Sequence, residues 1–453
     1  MHNVKEMLDM YANKIKSYQY LEKIFNKTFD LKREHIEHTT KRYLMDVIVG
    51  RKNTYNYKSM FNSIGTLFLV FGYLICSFFF YRRHAKIDTE VVFDIFGNNT
   101  YDRYYKTIDK QLNGYSKVLF RENNNKFFNR KISIQLFYFL SKYSMVLLYL
   151  SFKHKFNFLD LTLRHCRKIA LYITDTDHIE CKCFISARDN TFNAMRYEIY
   201  KKNGINNILL IQGARRDTAK NAKSGDIYCY NDYYFGFGLE LIKKMNGMKS
   251  NNLIPIGSIP LYDNSFFNKE VKYDIVIIEE PVFSPVTFTS KEKFDIMINH
   301  ICKFKKENPC YNIYYTKKPN RFGEKEYVDA YYNRLEKLEI KISDSDINNS
   351  YDAINSSKLV IFQGSTMGLE SVGLDKLIMH CNYPKYESHF DNNSLFVITD
   401  ESYEVFRDKL TFLLNHMDLK KELSSLKYGY MNLSGNPANK VVQSINRILN
   451  KKV

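Results

Sequence analysis

The sequence has little of the residues that mark unusual protein classes. It contains no tryptophan, and only 8 prolines and 18 glycines in 453 residues, so it is not a low-complexity chain. All the prolines lie from Pro255 onward, which indicates a change of region near that position. With 45% hydrophobic residues, the chain is long enough for two or three domains with sizeable cores.

Metal-binding patterns are also missing. The 8 cysteines are scattered without paired CxxC units or histidines at zinc spacing, and Cys181 and Cys183 would share one face of a strand. Two DxD sequences, at 175–177 and 344–346, have a metal-motif spacing that is common by chance. We therefore predict no metal site, and free thiols as in a reducing cytoplasm.

Acidic residues are in deficit. The 49 Asp and Glu face 67 Lys and Arg, which gives a net charge of +18. This favours an acidic partner, and charge alone leaves open a membrane surface, a phosphorylated substrate or nucleic acid. Charge also runs through Met1 to Asp46, so we expect no secretory signal peptide at the start.

Long apolar runs are confined to two stretches. Residues 59–81 carry no charge over 23 positions, between Lys58 and Arg82. That length suits a membrane span, an in-plane helix or a buried helix. A second run, Ile132 to Phe152, is interrupted by Lys142, and the two runs together predict one membrane-facing patch.

From residue 90 onward strands alternate with helices, which predicts parallel sheets. We predict a helical region at 1–89, a first doubly wound domain at 90–260 with a helical insertion at about 130–175, and a second domain at 261–453. A helix is also expected from Phe235 to Met245. The expected strands are Glu90–Gly97, Tyr115–Phe120, Cys181–Ala187, Asn207–Gln212, Asp226–Tyr230, Leu253–Ile256, Tyr273–Ile278, Asn312–Tyr315, Ile340–Ser343, Lys358–Gln363 and Asp375–His380.

The stretch from Asn355 to His389 carries the clearest functional pattern. The unbroken apolar run Leu359–Phe362 suits a buried parallel strand, and residues 363–366 (QGST) then lead into a helix from Met367 to Val372. The free amides and the dipole at such a helix start favour an anion. Glu370 in the first turn could accept hydrogen bonds from a ribose, or simply complement the helix dipole.

This order of elements, with Glu370 and the loop at 375–378 (DKLI), resembles the nucleotide-sugar half of GT-B glycosyltransferases of bacterial surface-carbohydrate biosynthesis. The resemblance covers roughly Glu90 to Val453. It implies an α/β GT-B fold, in which two doubly wound, Rossmann-like domains face a cleft, with membrane-associating helical insertions in the N-terminal half. It also implies a nucleotide-sugar donor as substrate, no further cofactor and no metal at the phosphates.

The resemblance places the donor on the second domain, where cations and helix amides would stabilise the departing phosphate. Residues 317–319 (KKP) resemble the Lys/His-Pro motif of capsule and teichoic-acid transferases. Lys318 stands where the motif has histidine, which keeps a positive charge and removes an acid/base role at neutral pH. A solvated basic turn is the alternative interpretation. The predicted donor-binding residues are Lys317, Lys318, Arg321, Gln363, Gly364, Ser365, Thr366, Gly368, Glu370 and Glu279.

The first domain would hold the acceptor. Residues 211–217 (IQGARRD) resemble the Gln-His-Gly turn of the same transferases without its histidine. An inverting reaction needs a base, for which we predict Asp189, with Asp94 and Asp217 as alternatives. Asp189 could equally cap the following helix. The predicted acceptor or cleft residues are Gln212, Gly213, Arg215 and Arg216.

The sequence therefore predicts a metal-independent, inverting glycosyltransferase at the cytoplasmic face of the inner membrane, peripheral, monotopic or single-pass, with a lipid-linked or polysaccharide acceptor. A teichoic-acid type transferase of CDP-linked polyol phosphate is the nearest alternative. A basic scaffold for a membrane or nucleic acid would spread its features along one face, whereas the matched features gather at one sheet end, so nucleic acid is not the expected partner. An epimerase would not need the hydrophobic segment and would want paired carboxylates and histidine in its cleft.

Overall fold

The chain folds around two parallel sheets of six strands each, seen in a computed structural model. A separate pair joins β1 (Ile87–Asp88) to β4 (Ile179–Glu180). The structure describes residues 19, 22–37, 39, 57–82, 86–95, 100–121, 127–154, 157–187, 194–211, 230–243, 249–262, 270–279, 291–317, 325–343, 347–383, 390, 394–432 and 434–450.

The first sheet belongs to the N-terminal half. Its strands are β2 (Val91–Asp94), β3 (Lys117–Phe120), β5 (Cys183–Ser186), β6 (Asn206–Leu210), β7 (Tyr230–Gly236) and β8 (Lys249–Pro255). Their order is β3-β2-β5-β6-β7-β8, and every neighbouring pair is parallel. Because the chain leaves β2 on one side for β3 and returns on the other for β5, the two connections part between β2 and β5.

Helices lie before, between and after these strands. They are α1 (Tyr57–Phe80), a π-helical turn (Tyr101–Tyr105) that runs into α2 (Lys106–Gln111), α3 (Arg130–His154), α4 (Phe158–His178), α5 (Ala194–Lys202) and α6 (Leu239–Lys243). Residues 22–29 and 33–37 are also helical. The Asn157 side chain caps α4 by accepting a hydrogen bond from the Asp160 N–H at 3.0 Å.

The second sheet has the order β11-β10-β9-β12-β13-β14, again with every pair parallel. Its strands are β9 (Tyr273–Ile278), β10 (Ile313–Thr316), β11 (Lys341–Ile342), β12 (Ser357–Phe362), β13 (Leu377–Cys381) and β14 (Val397–Ile398). Its helices are α7 (Lys291–Glu307), α8 (Lys325–Glu336), α9 (Ile347–Asn355), α10 (Thr366–Gly373), α11 (Tyr403–Asn415) and α12 (Lys420–Tyr430), with a 3₁₀ turn (Met417–Leu419) before α12.

The last helix, α13 (Pro437–Asn450), leaves the second domain and packs on the first sheet. Val441 and Ile445 share a cluster of buried side chains with Val91, Phe93 and α2. The opposite face of the first sheet packs against α4 and α5 in the larger core. The first domain, predicted to end at residue 260, is thus completed by residues from the far end of the chain.

The two domains also meet through α12, which packs on α6. A Cβ on Gly238 would lie 2.2 Å from the backbone oxygen of Gly429, so only glycine permits this approach. The backbone N–H of Asn432 donates to the carbonyl of Phe237 at 2.9 Å. These contacts tie the end of the second domain to the edge of the first.

The sequence predictions hold well in the second domain and fail around residue 235. The strand predicted at Lys358–Gln363 is β12, within one residue of its expected bounds. In contrast, residues 230–236 form one strand, β7, where the end of a strand and the start of a helix at Phe235 were predicted. Asp232 can lie in this buried strand because it accepts hydrogen bonds from Lys201 Nζ at 2.9 Å and the Asn207 N–H at 3.0 Å.

Candidate functional site

The candidate site is the carboxyl edge of the second sheet. The chain leaves β9 toward β10 and β11 and returns to form β12 on the other side, so the direction of the connections reverses between β9 and β12. In open parallel sheets, ligands bind at the carboxyl ends of the strands beside such a point. Glu279, Lys317 and Gln363 each follow directly after one of the adjacent strands β9, β10 and β12. The fold thus brings these three predicted residues to one edge, while Lys318 and Arg321 lie outside the described residues.

The turn between β12 and α10 is fixed by the packing beneath it. Ser365 is extended, at φ −77° and ψ 139°, and α10 follows it. A Cβ on Gly368 would lie 2.2 Å from the Phe362 ring, so α10 lies closer to β12 than a side chain would allow. The His380 ring stacks on the same phenyl ring at 4.8 Å and hydrogen-bonds the carbonyl oxygen of Gln363 at 2.7 Å. His380 was missed by the sequence prediction, which took it only as the last residue of a strand.

A tyrosine pair connects Glu279 with Lys317. Tyr332 of α8 donates its hydroxyl to Glu279 Oε1 at 2.6 Å, and Tyr315 donates to the same oxygen at 3.3 Å. The Lys317 ammonium lies 4.5 Å from the centre of the Tyr332 ring, and the Lys317 N–H donates to Ser343 Oγ at 2.7 Å. A half-buried carboxylate and a half-buried cation are therefore held in place beside each other. The tyrosines carry no sequence signal for this role beyond their positions in a strand and a helix.

Glu370 is buried and joins the two domains. Its side chain is 2% exposed, and its two oxygens accept hydrogen bonds from Ser258 Oγ at 2.5 Å and from the Tyr351 hydroxyl at 2.6 Å. Arg103 of the first domain hydrogen-bonds the Tyr351 hydroxyl in turn. Burial raises the pKa of the Glu370 carboxyl above its usual range, although both hydroxyls and Arg103 favour the charged form. The sequence does not reveal this contact, because Ser258 lies 112 positions away.

Asp94, an alternative base in the sequence prediction, occupies a different environment. It ends β2 with 0% exposure, and its Oδ2 accepts hydrogen bonds from Ser186 Oγ at 2.9 Å and from Arg196 Nη1 at 3.2 Å. Arg196 is itself 3% exposed, and its guanidinium lies 4.4 Å from the centre of the Phe184 ring. A carboxylate held by a buried guanidinium cannot approach an acceptor hydroxyl, so the proposal of Asp94 as a base is withdrawn. Asp94 instead forms a buried ion pair with Arg196 at the carboxyl end of β2.

The remaining first-domain predictions fall outside the described residues. These residues are Asp189, Asp217, Gln212, Gly213, Arg215 and Arg216.

We predicted no metal site, and the structure describes one of the two DxD sequences, the one at 175–177. Asp175 in α4 accepts a hydrogen bond from the Tyr200 hydroxyl at 3.4 Å, and Asp177 accepts one from the Asn129 amide. Residues 344–346 lie outside the described part of the chain. Across the described residues, no three His, Cys, Asp or Glu side chains are grouped so that they could hold a metal ion.

A separate cavity of about 510 Å³ opens at the amino edge of the first sheet, beside the starts of β7 and β8. Its lining includes Lys32, Lys201 and Lys249, and a buried pair in which His35 Nδ1 lies 2.7 Å from Glu198 Oε2. This cavity lies at the amino ends of strands of the first sheet, so it is distinct from the candidate site at the carboxyl edge of the second sheet.

Comparison with known proteins identifies the fold. No family model and no curated protein matches the chain. A putative UDP-N-acetylglucosamine 2-epimerase from Listeria monocytogenes superposes with a TM-score of 0.50 at 10% identity, over 82% of this chain and 98% of that one. The UDP-GlcNAc 2-epimerase from Neisseria meningitidis bound to UDP-GlcNAc gives 0.49 at 10% identity, over 80% and 100%. The wall teichoic acid polymerase TagF gives 0.47 at 10% identity, over 86% and 98%. The predicted GT-B fold is confirmed.

Proposed function

We propose that this protein is a GT-B glycosyltransferase that moves a sugar from a nucleotide-activated donor to a lipid-linked or polysaccharide acceptor at the cytoplasmic face of a membrane. The donor would bind at the carboxyl edge of the second sheet. The observation that supports this most is that Lys317, Glu279 and the β12–α10 turn follow three adjacent strands at the same edge of the sheet, beside the point where the strand order reverses.

The proposed donor site would act mainly by stabilising negative charge. As the bond to the sugar breaks, charge develops on the departing phosphate, and the first-turn amides of α10 and the Lys317 ammonium would stabilise it. Gly364 and Thr366 line the turn and are half-buried. The α10 amides and the Lys317 ammonium would supply the positive charge that a metal ion supplies in other enzymes, which is why we propose a metal-independent reaction.

Glu370 would contribute differently. To accept hydrogen bonds from a ribose, its carboxylate would have to exchange its hydrogen bond from Ser258 or Tyr351. Because Ser258 lies in the connection between the domains, that exchange would couple donor binding to the domain interface. On the acceptor side we retain Asp189 as the proposed base and Arg215 and Arg216 as proposed phosphate contacts.

A thermal-shift screen of the full chain against UDP-, GDP-, CMP-, CDP- and dTDP-linked sugars, together with CDP-glycerol and CDP-ribitol, tests this function. A ligand that binds the folded state raises the melting temperature, by a free energy that grows with ligand concentration over Kd. We expect one nucleotide class to raise it, and Lys317→Ala to weaken the response. Lys358→Ala is a matched control, since Lys358 pairs with Asp274 at 2.6 Å at the amino ends of β12 and β9. A response to CDP-glycerol or CDP-ribitol alone would favour the phosphotransferase, and no response to any compound would contradict the proposal.

A further inference from the structure

An apolar surface covers one side of the first domain, where α1 and α3 run antiparallel. Near the start of α1, Ser63 Oγ accepts a hydrogen bond from Asn157, just after α3, at 2.8 Å. Near the end of α1, Ser77 Oγ accepts one from the N–H of Phe128, just before α3, at 3.2 Å. Both helices are long and apolar enough to cross a membrane by length and composition.

Many outward side chains of this pair are large and apolar. Six of them are each 55% to 73% exposed, namely Phe61, Phe68, Phe79, Ile134, Met145 and Tyr149. The inward side chains, such as Leu67, Leu74 and Leu140, belong to the core of the first domain. The two helices that carry the surface are thus packed on the core of the domain.

Helix α4 lies beneath the pair along its length. Hydrogen bonds link α4 to the α1–α3 pair near both of its ends. At one end Asn157 donates to Ser63, and at the other the Thr174 hydroxyl accepts from the Asn129 N–H at 3.0 Å. Those two positions of α4 are separated by about 25 Å of helix. The other side of α4 packs on α5 of the sheet. The globular domain therefore accompanies α1 and α3 over roughly the thickness of a bilayer.

This arrangement discriminates between the two membrane orientations. If α1 and α3 crossed the bilayer, α4 would lie at the same depth, with the exposed Arg164 and Arg167 in hydrocarbon, which is costly. Lys142, exposed midway along α3, would lie near the bilayer centre. With both helices parallel to the membrane plane, Arg164 and Arg167 are free to remain in water, and Lys142 can extend to the headgroups.

The charges around the surface indicate which lipids it meets. Neither helix contains Asp or Glu, and basic side chains border or interrupt the surface at Arg82, Arg130, Lys131, Lys142 and Lys153. We propose that the α1–α3 face inserts, in the plane of the membrane, into one leaflet that carries anionic lipids. This deepens the membrane placement in the proposed function. Its failure is distinguishable, because the nucleotide screen needs no membrane.

Single tryptophans test the proposal, since the chain has none of its own. Phe61→Trp, Phe68→Trp and Phe79→Trp place reporters along α1, and Phe412→Trp, 38% exposed on α11, is the control. Each full-length variant is mixed with vesicles of phosphatidylcholine and phosphatidylglycerol that carry bromine quenchers at different acyl depths. We expect all three α1 reporters at one shallow depth, about 5–10 Å below the headgroups, and no quenching of the control.

Two outcomes overturn the in-plane insertion, and a third overturns the preference for anionic lipids. A spanning helix would place Phe68→Trp deepest and would separate the Phe61 and Phe79 positions by about 27 Å across the bilayer. Absence of quenching at all three positions, with normal emission from the Phe412→Trp control, would show that lipid does not cover this face. Replacement of phosphatidylglycerol by phosphatidylcholine is expected to weaken binding, and an unchanged affinity would refute the anionic preference.

Discussion

The two sheets share a topology, but the side chains at the carboxyl ends of their strands differ in burial. In the first sheet, Asp94 and Ser186 end the strands beside the dividing point with 0% exposure, and Arg196 closes the site. In the second sheet, the half-buried Glu279 follows β9 and the buried Gln363 follows β12, while the half-buried Lys317 follows β10, the next strand outward from β9. A diverging pair of connections therefore creates a place for a ligand, and the side chains decide whether the protein fills it.

The difference separates stabilising groups from groups available for binding. A buried ion pair of the Asp94 kind fixes the first domain, and its removal should affect stability above all. Lys317 is held by an aromatic ring and a backbone hydrogen bond, so its ammonium can meet an anion at small cost to the fold. The predictions below test this division.

The largest expected effect is on stability, from Arg196→Met. This change leaves the Asp94 carboxylate buried without its guanidinium, and we expect a loss of about 3–5 kcal/mol in the free energy of unfolding of the first domain. Denaturant unfolding measures it. The double variant Asp94→Leu/Arg196→Met should recover much of the loss, whereas a single variant as stable as the parent would show that the pair is not what fixes this edge.

Lys317→Ala should act on binding instead. A charge-assisted hydrogen bond contributes about 1.5–3 kcal/mol, so we expect the affinity for the nucleotide found in the screen to fall roughly 10- to 150-fold. Isothermal titration calorimetry gives the affinity, and Lys358→Ala should bind as the parent does. Equal affinities for all three proteins would remove Lys317 from the site.

Gly368→Ala tests the support of the turn. The new Cβ would overlap the Phe362 ring, against which the His380 ring is stacked, and overpacking of this kind costs about 1–3 kcal/mol. Gly65→Ala in α1 is the matched control, because no atom lies within 4 Å of its added Cβ. If both variants unfold at the same denaturant concentration, the close approach of α10 to β12 does not contribute.

Glu370→Gln should give the smallest effect, a change in how the stability depends on pH. Burial raises the pKa of Glu370 in the folded state, so the folded chain binds this proton more tightly than the unfolded chain. The parent should therefore lose stability relative to Glu370→Gln as the pH rises from the usual carboxyl range through the raised pKa. Melting temperatures of both proteins across that range give the comparison, and parallel curves would contradict the raised pKa.

Local pattern predicted the second domain well because its strands are buried on both faces. The run Leu359–Phe362 is fully buried and forms β12 as expected. The same reasoning failed at Tyr230–Gly236, which it divided between the end of a strand and the start of a helix. The burial of Asp232 in this strand depends on Lys201 of α5 and Asn251 of β8, which a local pattern cannot include.

The candidate site was predictable only in its local part. The turn at 363–366 follows from one strand and one helix, and parallel strands place Lys317 and Glu279 at the same edge. The contact of Glu370 with Ser258 depends on how two domains meet, and the burial of Asp94 depends on Arg196, 102 positions away. Neither contact can be inferred from the spacing of these residues along the sequence.

The most direct measurement is to map where a nucleotide binds. The nucleotide selected by the screen, in photoreactive form, would be crosslinked to the full chain and the labelled peptides identified by mass spectrometry. Our account predicts labels in residues 313–317 and 357–373, lost with excess unlabelled nucleotide and reduced in Lys317→Ala. Labels confined to the first domain, for example around the cavity at the starts of β7 and β8, would contradict it.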